Sequence, residues 1–155
     1  MRGKKPPKRI IEPDPVYKNT NVTRFINKLM WCGKKTTAER IFYGAMEIIK
    51  EKTGEEGIEV FKRALENARP HVQVKSRRVG GSTYQVPIDI KSEKQMEHAM
   101  RWLIQYSRAR RGRPMREKLA FELLDAASGT GQSVKKKDDT HRMAEANRAF
   151  AHYRV

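Results

Sequence analysis

A chain of 155 residues is long enough for one domain, and a mean hydropathy of −0.83 predicts a small core beneath a large charged surface. Lys and Arg number 34 against 18 Asp and Glu, and the net charge of +16 favours a polyanionic partner, either nucleic acid or an anionic membrane surface. The single cysteine excludes an intrachain disulfide, and the lack of a long apolar run or secretory signal favours a soluble, cytoplasmic or organellar protein.

The N-terminal half predicts a basic arm followed by three helices. Residues 1–18 combine cations with four prolines, which favours a flexible or extended arm, and residues 19–155 are then expected to form a single domain. Apolar residues recur at helical spacing in about 19–33, 36–54 and 57–70, with Gly54 and Pro70 as stop signals.

The pattern then changes to the period of a β-strand. Val72 and Val74 alternate with polar residues, as do Tyr84, Val86 and Ile88 after a Gly-Gly pair. This predicts a two-stranded β-ribbon at about 72–90 that leans on the helices at its base and projects its tip.

Three further helices are expected after the ribbon, beginning near residues 92, 115 and 135. The joint "GTGQSVKKK" lacks the spacing of a phosphate-binding loop, so Ser133 is interpreted as an ordinary N-cap. The predicted fold is mainly α, with about six helices in one compact bundle, a protruding β-ribbon and a basic arm.

Charge is distributed in bands along the chain. Residues 1–35 carry +8, residues 36–74 carry −1, residues 75–118 carry +8 and residues 119–155 carry +1. Arginine clusters suit phosphate because the planar guanidinium matches two phosphate oxygens at once. The competing interpretation is a solvated surface, which the five arginines of "SRARRGRPMRE" make less attractive because no acid separates them. The candidate RNA-binding cations are Lys4, Lys5, Lys8, Arg9, Lys34, Lys35, Lys75, Arg77, Arg78, Arg108, Arg110, Arg111, Arg113, Arg116, Lys135, Lys136 and Lys137.

Catalytic and metal-binding patterns are absent from the sequence. The four histidines have no metal-ligand spacing, and no nucleophile–base pair or paired-carboxylate motif is recognisable, so no cofactor and no enzymatic activity are expected. Glu117 and Glu122 are interpreted as ordinary helix-face acids. Trp31 could stack on a base, but its position at the end of an amphipathic helix favours packing.

Four stretches carry a family resemblance: "FINKLMWCGKKTTAERIFY" (25–43), "SRRVGGSTYQVP" (76–87), "RWLIQYSRARR" (101–111) and "ELLDAASGTGQSVKKKDDTHRMAEANRAFAHYR" (122–154). They resemble the bacterial and organellar branch of the seventh small-ribosomal-subunit protein family. That resemblance implies a structural protein of the small subunit, a primary binder of ribosomal RNA that organises the 3′ major (head) domain.

The resemblance also implies neighbours in a ribosome. The ribbon and C-terminal helix would lie near the transfer-RNA exit site and the messenger path, and the ninth and eleventh small-subunit proteins would be contacted. The residues implied at the exit site are Val79, Gly80, Gly81, Ser82, Thr83, Tyr84, Arg142 and Tyr153.

Two other function classes stay open. A DNA-binding architectural protein could use the basic ribbon as a minor-groove arm, although no helix-turn-helix or zinc module is present. A nucleic-acid-modifying enzyme would need an acid–base or metal constellation, which the sequence does not show.

Overall fold

The computed structural model describes residues 3, 6–7 and 9–153. It confirms the predicted fold class: six α-helices form one bundle, and a two-stranded antiparallel ribbon lies between the third and fourth. The elements in chain order are α1 (Thr20–Leu29), α2 (Lys35–Thr53), α3 (Gly57–Asn67), β1 (Val72–Val79), β2 (Ser82–Asp89), α4 (Ser92–Ala109), α5 (Met115–Ala127), α6 (Gly131–Ala146) and a 3-10 helix (Arg148–Tyr153).

The core is built by the faces that carry the apolar stripes. Phe25, Phe42 and Phe61 from the first three helices are fully buried, and their ring centroids lie 5.1 to 5.7 Å apart. Edge-to-face and tilted contacts of this kind add to the hydrophobic contribution of the rings. Helix α5 runs through the middle of the bundle and packs against α2, α3, α4 and α6.

The end of the predicted arm is anchored to this core. Asp14 is buried and accepts hydrogen bonds from the backbone N–H groups of Val16 and Tyr17, at 3.1 and 2.9 Å. The Tyr43 hydroxyl donates to the same carboxylate at 2.6 Å. Residues 14–17 therefore form a turn that a buried carboxylate ties to α2.

The ribbon has the predicted turn but a different support. Val72 pairs with Asp89 and Val79 with Ser82, so Gly80 and Gly81 form a two-residue turn with φ of 57° and 90°. Both angles lie in the left-handed region, which glycine adopts without a Cβ clash. The ribbon packs along α6 and the 3-10 helix rather than leaning on the bundle at its base alone.

Close helix packing depends on one small residue. A Cβ added at Gly57 would lie 2.7 Å from the Met46 carbonyl oxygen and 2.9 Å from its Cα. Only glycine lets the first turn of α3 approach the α2 backbone this closely. No helix in the described part of the chain has both the length and the apolar character needed to cross a bilayer.

Candidate nucleic-acid interface

Cations from separate parts of the chain line depressions along α4 and at the loop that follows it. Arg101 and Arg108 lie two turns apart on α4 and so share a helix face, and Lys28 of α1 lines the same surface depression. Arg108 also borders a second depression with Lys34. A third depression follows the end of α4 and includes Arg111. We call this surface the basic face and define it as Lys28, Lys34, Arg101, Arg108, Arg111, Arg113 and Lys118.

Acids lie at the edges of the basic face: Glu93 and Glu97 share a depression with Lys28, and Glu47, Glu51 and Glu117 share one with Arg113. No Asp or Glu lines its three depressions. Among the cations that define the basic face, only Arg113 forms an ion pair within the described residues, with Glu117 at 3.3 Å. The cations of the neutral band behave differently: Lys62 pairs with Glu59 at 2.7 Å, and Arg63 with Glu55 at 3.0 Å. Unneutralised charge is therefore concentrated in these depressions, where a polyanion could bind.

Arg108 is held in place by two contacts. Its guanidinium donates to the Leu29 carbonyl at 3.1 Å and lies 5.0 Å above the centroid of the Trp31 ring. The packing interpretation of Trp31 is wrong: α1 ends at Leu29, and the following loop leaves the indole 70% exposed. An exposed tryptophan therefore stands within the basic face.

Arg110 has a structural task instead. Its Nε and one terminal nitrogen donate to Glu122 at 2.9 and 2.8 Å, and the guanidinium also contacts Asp125. Burial disfavours the charged guanidinium, but hydrogen bonds to Asp125 and Glu122 outweigh this and raise the pKa of Arg110. The candidate RNA-binding residue Arg110 is thus paired with acids of the protein itself, and the corner arginine Arg113 also has an acid partner, Glu117.

Glu122 joins three helices through this pair. Its carboxylate is fully buried and also accepts from the Ser133 backbone N–H at 3.1 Å and hydroxyl at 2.7 Å. The interpretations of Glu122 as a helix-face acid and of Ser133 as an N-cap are both wrong, because α6 begins at Gly131 with Thr130 as its cap. The carboxylate fixes the end of α4 and the start of α6 against α5.

Two further corner arginines pack against neighbouring residues, Arg113 against Phe121 and Arg116 beside Gly44. Arg113 lies 4.7 Å from the centroid of Phe121, and Lys52 lies 4.1 Å from the same ring. The side chain of Arg116 runs past Gly44, where an added Cβ would be 3.5 Å from its Cδ. Both guanidinium side chains stay exposed.

The predicted binding residues of the ribbon fall into two groups, exposed residues and residues that contact the C-terminal segment. Lys75, Arg78 and residues 79–83 are exposed, as expected for a tip that can reach a partner. Arg77 instead donates to the Tyr153 carbonyl at 2.8 Å, and the Tyr84 and Tyr153 rings stack 5.0 Å apart. The prediction of a freely projecting tip is therefore wrong at Tyr84, which docks the ribbon onto the C-terminal segment.

The remaining candidates lie apart from the basic face or beyond the described residues. Lys35 is exposed and lies 3.7 Å from Glu39. On α6, Lys137 pairs with Asp138 at 3.4 Å and the exposed Arg142 approaches Asp139 at 3.9 Å. Arg9 and Lys135 are exposed and Lys136 is half-buried, whereas Lys4, Lys5 and Lys8 lie outside the described residues.

Sequence reasoning missed three cations of this surface, Lys28, Arg101 and Lys118, and it favoured packing over base stacking for Trp31. Arg101 could have been found, because it is two turns from Arg108 on one helix and faces the same way. Lys28 could not, and the exposure of Trp31 could not be predicted either, since the position of both beside α4 depends on how α1 packs.

Metal and acid–base chemistry find no support in the described residues. No group of three or more His, Cys, Asp or Glu there could hold a metal ion. The His71 backbone N–H donates to Nε2 of His141 at 3.0 Å, and burial lowers the pKa of His141, as does the nearby Lys137. This pair holds the ribbon base to α6.

Comparison with known proteins decides the family. The family model described as "Ribosomal protein S7p/S5e" matches residues 1–148. The chain belongs to the ribosomal protein S7p/S5e family. The sequence is 52% identical to the small ribosomal subunit protein uS7 of Fervidobacterium nodosum, over 99% of this chain and 99% of that protein. It is 57% identical to the uS7 proteins of Caldanaerobacter subterraneus subsp. tengcongensis, over 96% of this chain and 95% of that protein, and of Sorangium cellulosum, over 99% and 98%.

Family membership confirms the resemblance and its broad consequences. The S7 family consists of ribosomal proteins that bind ribosomal RNA in the small subunit, with a structural rather than an enzymatic role. The hypothesis of a nucleic-acid-modifying enzyme is therefore excluded.

Proposed function

We propose that this S7-family chain is a primary binder that organises the 3′ major (head) domain of small-subunit ribosomal RNA. Its cations contact phosphates of separate RNA helices, and the rigid bundle fixes the angles between those helices. Junctions and irregular backbones reward such many-sided recognition of shape. The ribosome in question is cytoplasmic in this proposal.

One observation carries the proposal: cations of α1, α4 and the loop at residues 30–34 that form no ion pair within the described residues line adjoining depressions, and Arg111 follows them at the end of α4. Because the elements are locked together by the core, a bound RNA must adopt the spacing of the cations.

The ribbon supports the finer placement. Its exposed tip at residues 79–83, with Lys75 and Arg78 on the strand before it, is thin enough to enter a gap between subunit regions. We place this tip and the exposed Arg142 near the exit-site transfer RNA and the messenger path, with the ninth and eleventh small-subunit proteins as neighbours. The Tyr84–Tyr153 stack would make ribbon and C-terminal segment act as one unit there.

Salt-dependent binding of transcribed 3′ major-domain RNA tests the proposal. Removing one cation that binds a phosphate should reduce the log–log salt slope by about 0.7 to 0.9. Arg101→Ala and Arg111→Ala should each do so, whereas Lys62→Ala and Arg63→Ala, which remove paired cations of α3, should leave the slope unchanged. Equal effects of both sets would show that only net charge matters.

Competition distinguishes the DNA-binding alternative. Duplex DNA at equal concentration should not displace the RNA, because the basic face spans several elements rather than tracking one groove. Displacement by DNA would favour an architectural DNA-binding protein that uses the ribbon.

A further inference from the structure

An apolar pocket opens in the middle of the basic face, beside Trp31. Its walls are Leu29, Ala38, Ile41 and Met115, and its volume is about 230 Å³. The residues that line it include two cations, Lys34 and Arg108, and no acid.

The geometry of Trp31 suits a stacking partner. The Arg108 guanidinium covers the indole at 5.0 Å, and 70% of the residue is still exposed. Stacking of an RNA base on an aromatic ring is favourable for any base, since every base presents a π-face. A guanidinium already fixed against the ring holds the indole in position before RNA arrives.

Two backbone hydrogen bonds close the loop that carries Trp31. The Lys34 N–H donates to the Trp31 carbonyl at 3.0 Å, and the Lys35 N–H to the Gly33 carbonyl at 2.9 Å. Cys32 has a φ of 51°, a left-handed backbone conformation that residues other than glycine rarely adopt. The strained turn directs Trp31 outward, and strain of this kind persists where surrounding contacts enforce it.

We propose that this pocket binds one unpaired nucleotide of the RNA, with the base stacked on Trp31 and its phosphates held by Lys34 and Arg108. The inference rests on the proposed RNA-binding function and adds a subsite to it. The apolar walls of the pocket suit a base, and the two cations suit its phosphates. An apolar peptide would leave both cations without partners. A recognised single-stranded base would also give the interface a contact that salt does not weaken.

The test compares Trp31→Leu and Trp31→Phe with the unaltered protein, using transcribed 3′ major-domain RNA. Leucine keeps an apolar side chain but removes the π-face, so the affinity should fall about 5- to 150-fold at every salt concentration, with an unchanged salt slope. Phenylalanine should retain most of the affinity. Lys34→Ala is the matched contrast, because it should reduce the slope by about 0.7 to 0.9.

Tryptophan fluorescence supplies an independent measurement. RNA should quench the emission of the unaltered protein, and the quenching should disappear in Trp31→Leu, since the other tryptophan, Trp102, is only 8% exposed. Footprinting identifies the protected unpaired nucleotide, and removing its base should weaken binding of the unaltered protein but not of Trp31→Leu.

The outcomes separate this subsite from the broader function. Unaltered affinity in Trp31→Leu, or quenching that persists in it, would overturn the subsite while leaving RNA binding intact. Failure of the unaltered protein to bind the RNA in preference to duplex DNA would overturn the proposed function itself. Circular dichroism of each variant verifies that the exposed substitutions leave the fold unchanged.

Discussion

Arg110 and Arg111 are neighbours in the chain, yet the structure gives them opposite roles. Arg110 neutralises the buried Glu122, whereas Arg111 is exposed and has no ion pair in the described part of the chain. We expect Arg110→Ala to destabilise the fold and Arg111→Ala to affect RNA binding alone.

The size of the effect follows from the burial of Glu122. Removing one partner of a buried ion pair costs about 3–5 kcal/mol, because the remaining charge stays desolvated. The Arg110 side chain is 31% exposed, so water can enter after its removal and reduce the cost to about 2–4 kcal/mol. For a chain of this length that corresponds to a Tm roughly 5–15 °C lower. Arg111→Ala should stay within about 0.5 kcal/mol.

Thermal and urea unfolding followed by circular dichroism measure both variants under identical conditions. The binding assay adds the reciprocal contrast: at a temperature where both variants are folded, Arg111→Ala should lower the salt slope and Arg110→Ala should not. If the two variants were destabilised equally, the Glu122 pair would not be what holds this corner together.

Three further predictions concern the core and the ribbon. Burial and the Asp14 hydrogen bond raise the pKa of Tyr43 above its ordinary 10.0, so the unfolded chain releases this proton at lower pH than the folded protein does. The free energy of unfolding, measured by urea denaturation, should therefore fall above about pH 10, and it should fall less in Tyr43→Phe. Gly57→Ala should lower the free energy of unfolding by about 1–3 kcal/mol, because the added Cβ meets the α2 backbone. Gly44→Ala makes only ordinary contacts and should leave the free energy of unfolding unchanged or raise it by up to about 1 kcal/mol. Thermal unfolding measures both variants. Tyr84→Ala should release the C-terminal 3-10 helix and accelerate its amide hydrogen exchange while α5 stays protected.

Specific results would contradict each of these. An identical alkaline decrease of stability in Tyr43→Phe would remove Tyr43 as its source. Equal stability of the two glycine variants would show that α3 can shift away from α2. Unchanged exchange in the 3-10 helix of Tyr84→Ala would mean that the ring stack does not dock the C-terminal segment.

The buried carboxylate has a consequence for RNA binding as well as stability. Glu122 fixes the last turn of α4 through Arg110, and the same turn begins the loop that presents Arg111 and Arg113. Holding that loop before binding spares part of the ordering entropy that a mobile basic segment would lose on binding to RNA. A single internal charge pair therefore supports the shape of the external basic face.

Local periodicity was sufficient for the elements of the fold. Apolar spacing predicted the first five α-helices, and alanine content predicted the sixth, which begins at Gly131 rather than near residue 135. Alternation with a Gly-Gly pair predicted the ribbon and its turn, because these signals depend on neighbours in the chain. The exposed cations of the loop after α4 were also predictable from composition, and the family was recognisable from its motifs.

Only the tertiary structure decided which charges are available to a partner. Arg110 and Arg111 are the same residue type at adjacent positions of the sequence. They differ in the structure because Glu122, which lies on another helix, is buried and pairs with Arg110. Likewise, Trp31 had the sequence position of a packing residue until the end of α1 and the side of α4 were placed around it. Charge and hydrophobicity are properties of single residues, whereas pairing and exposure are properties of positions that packing brings together.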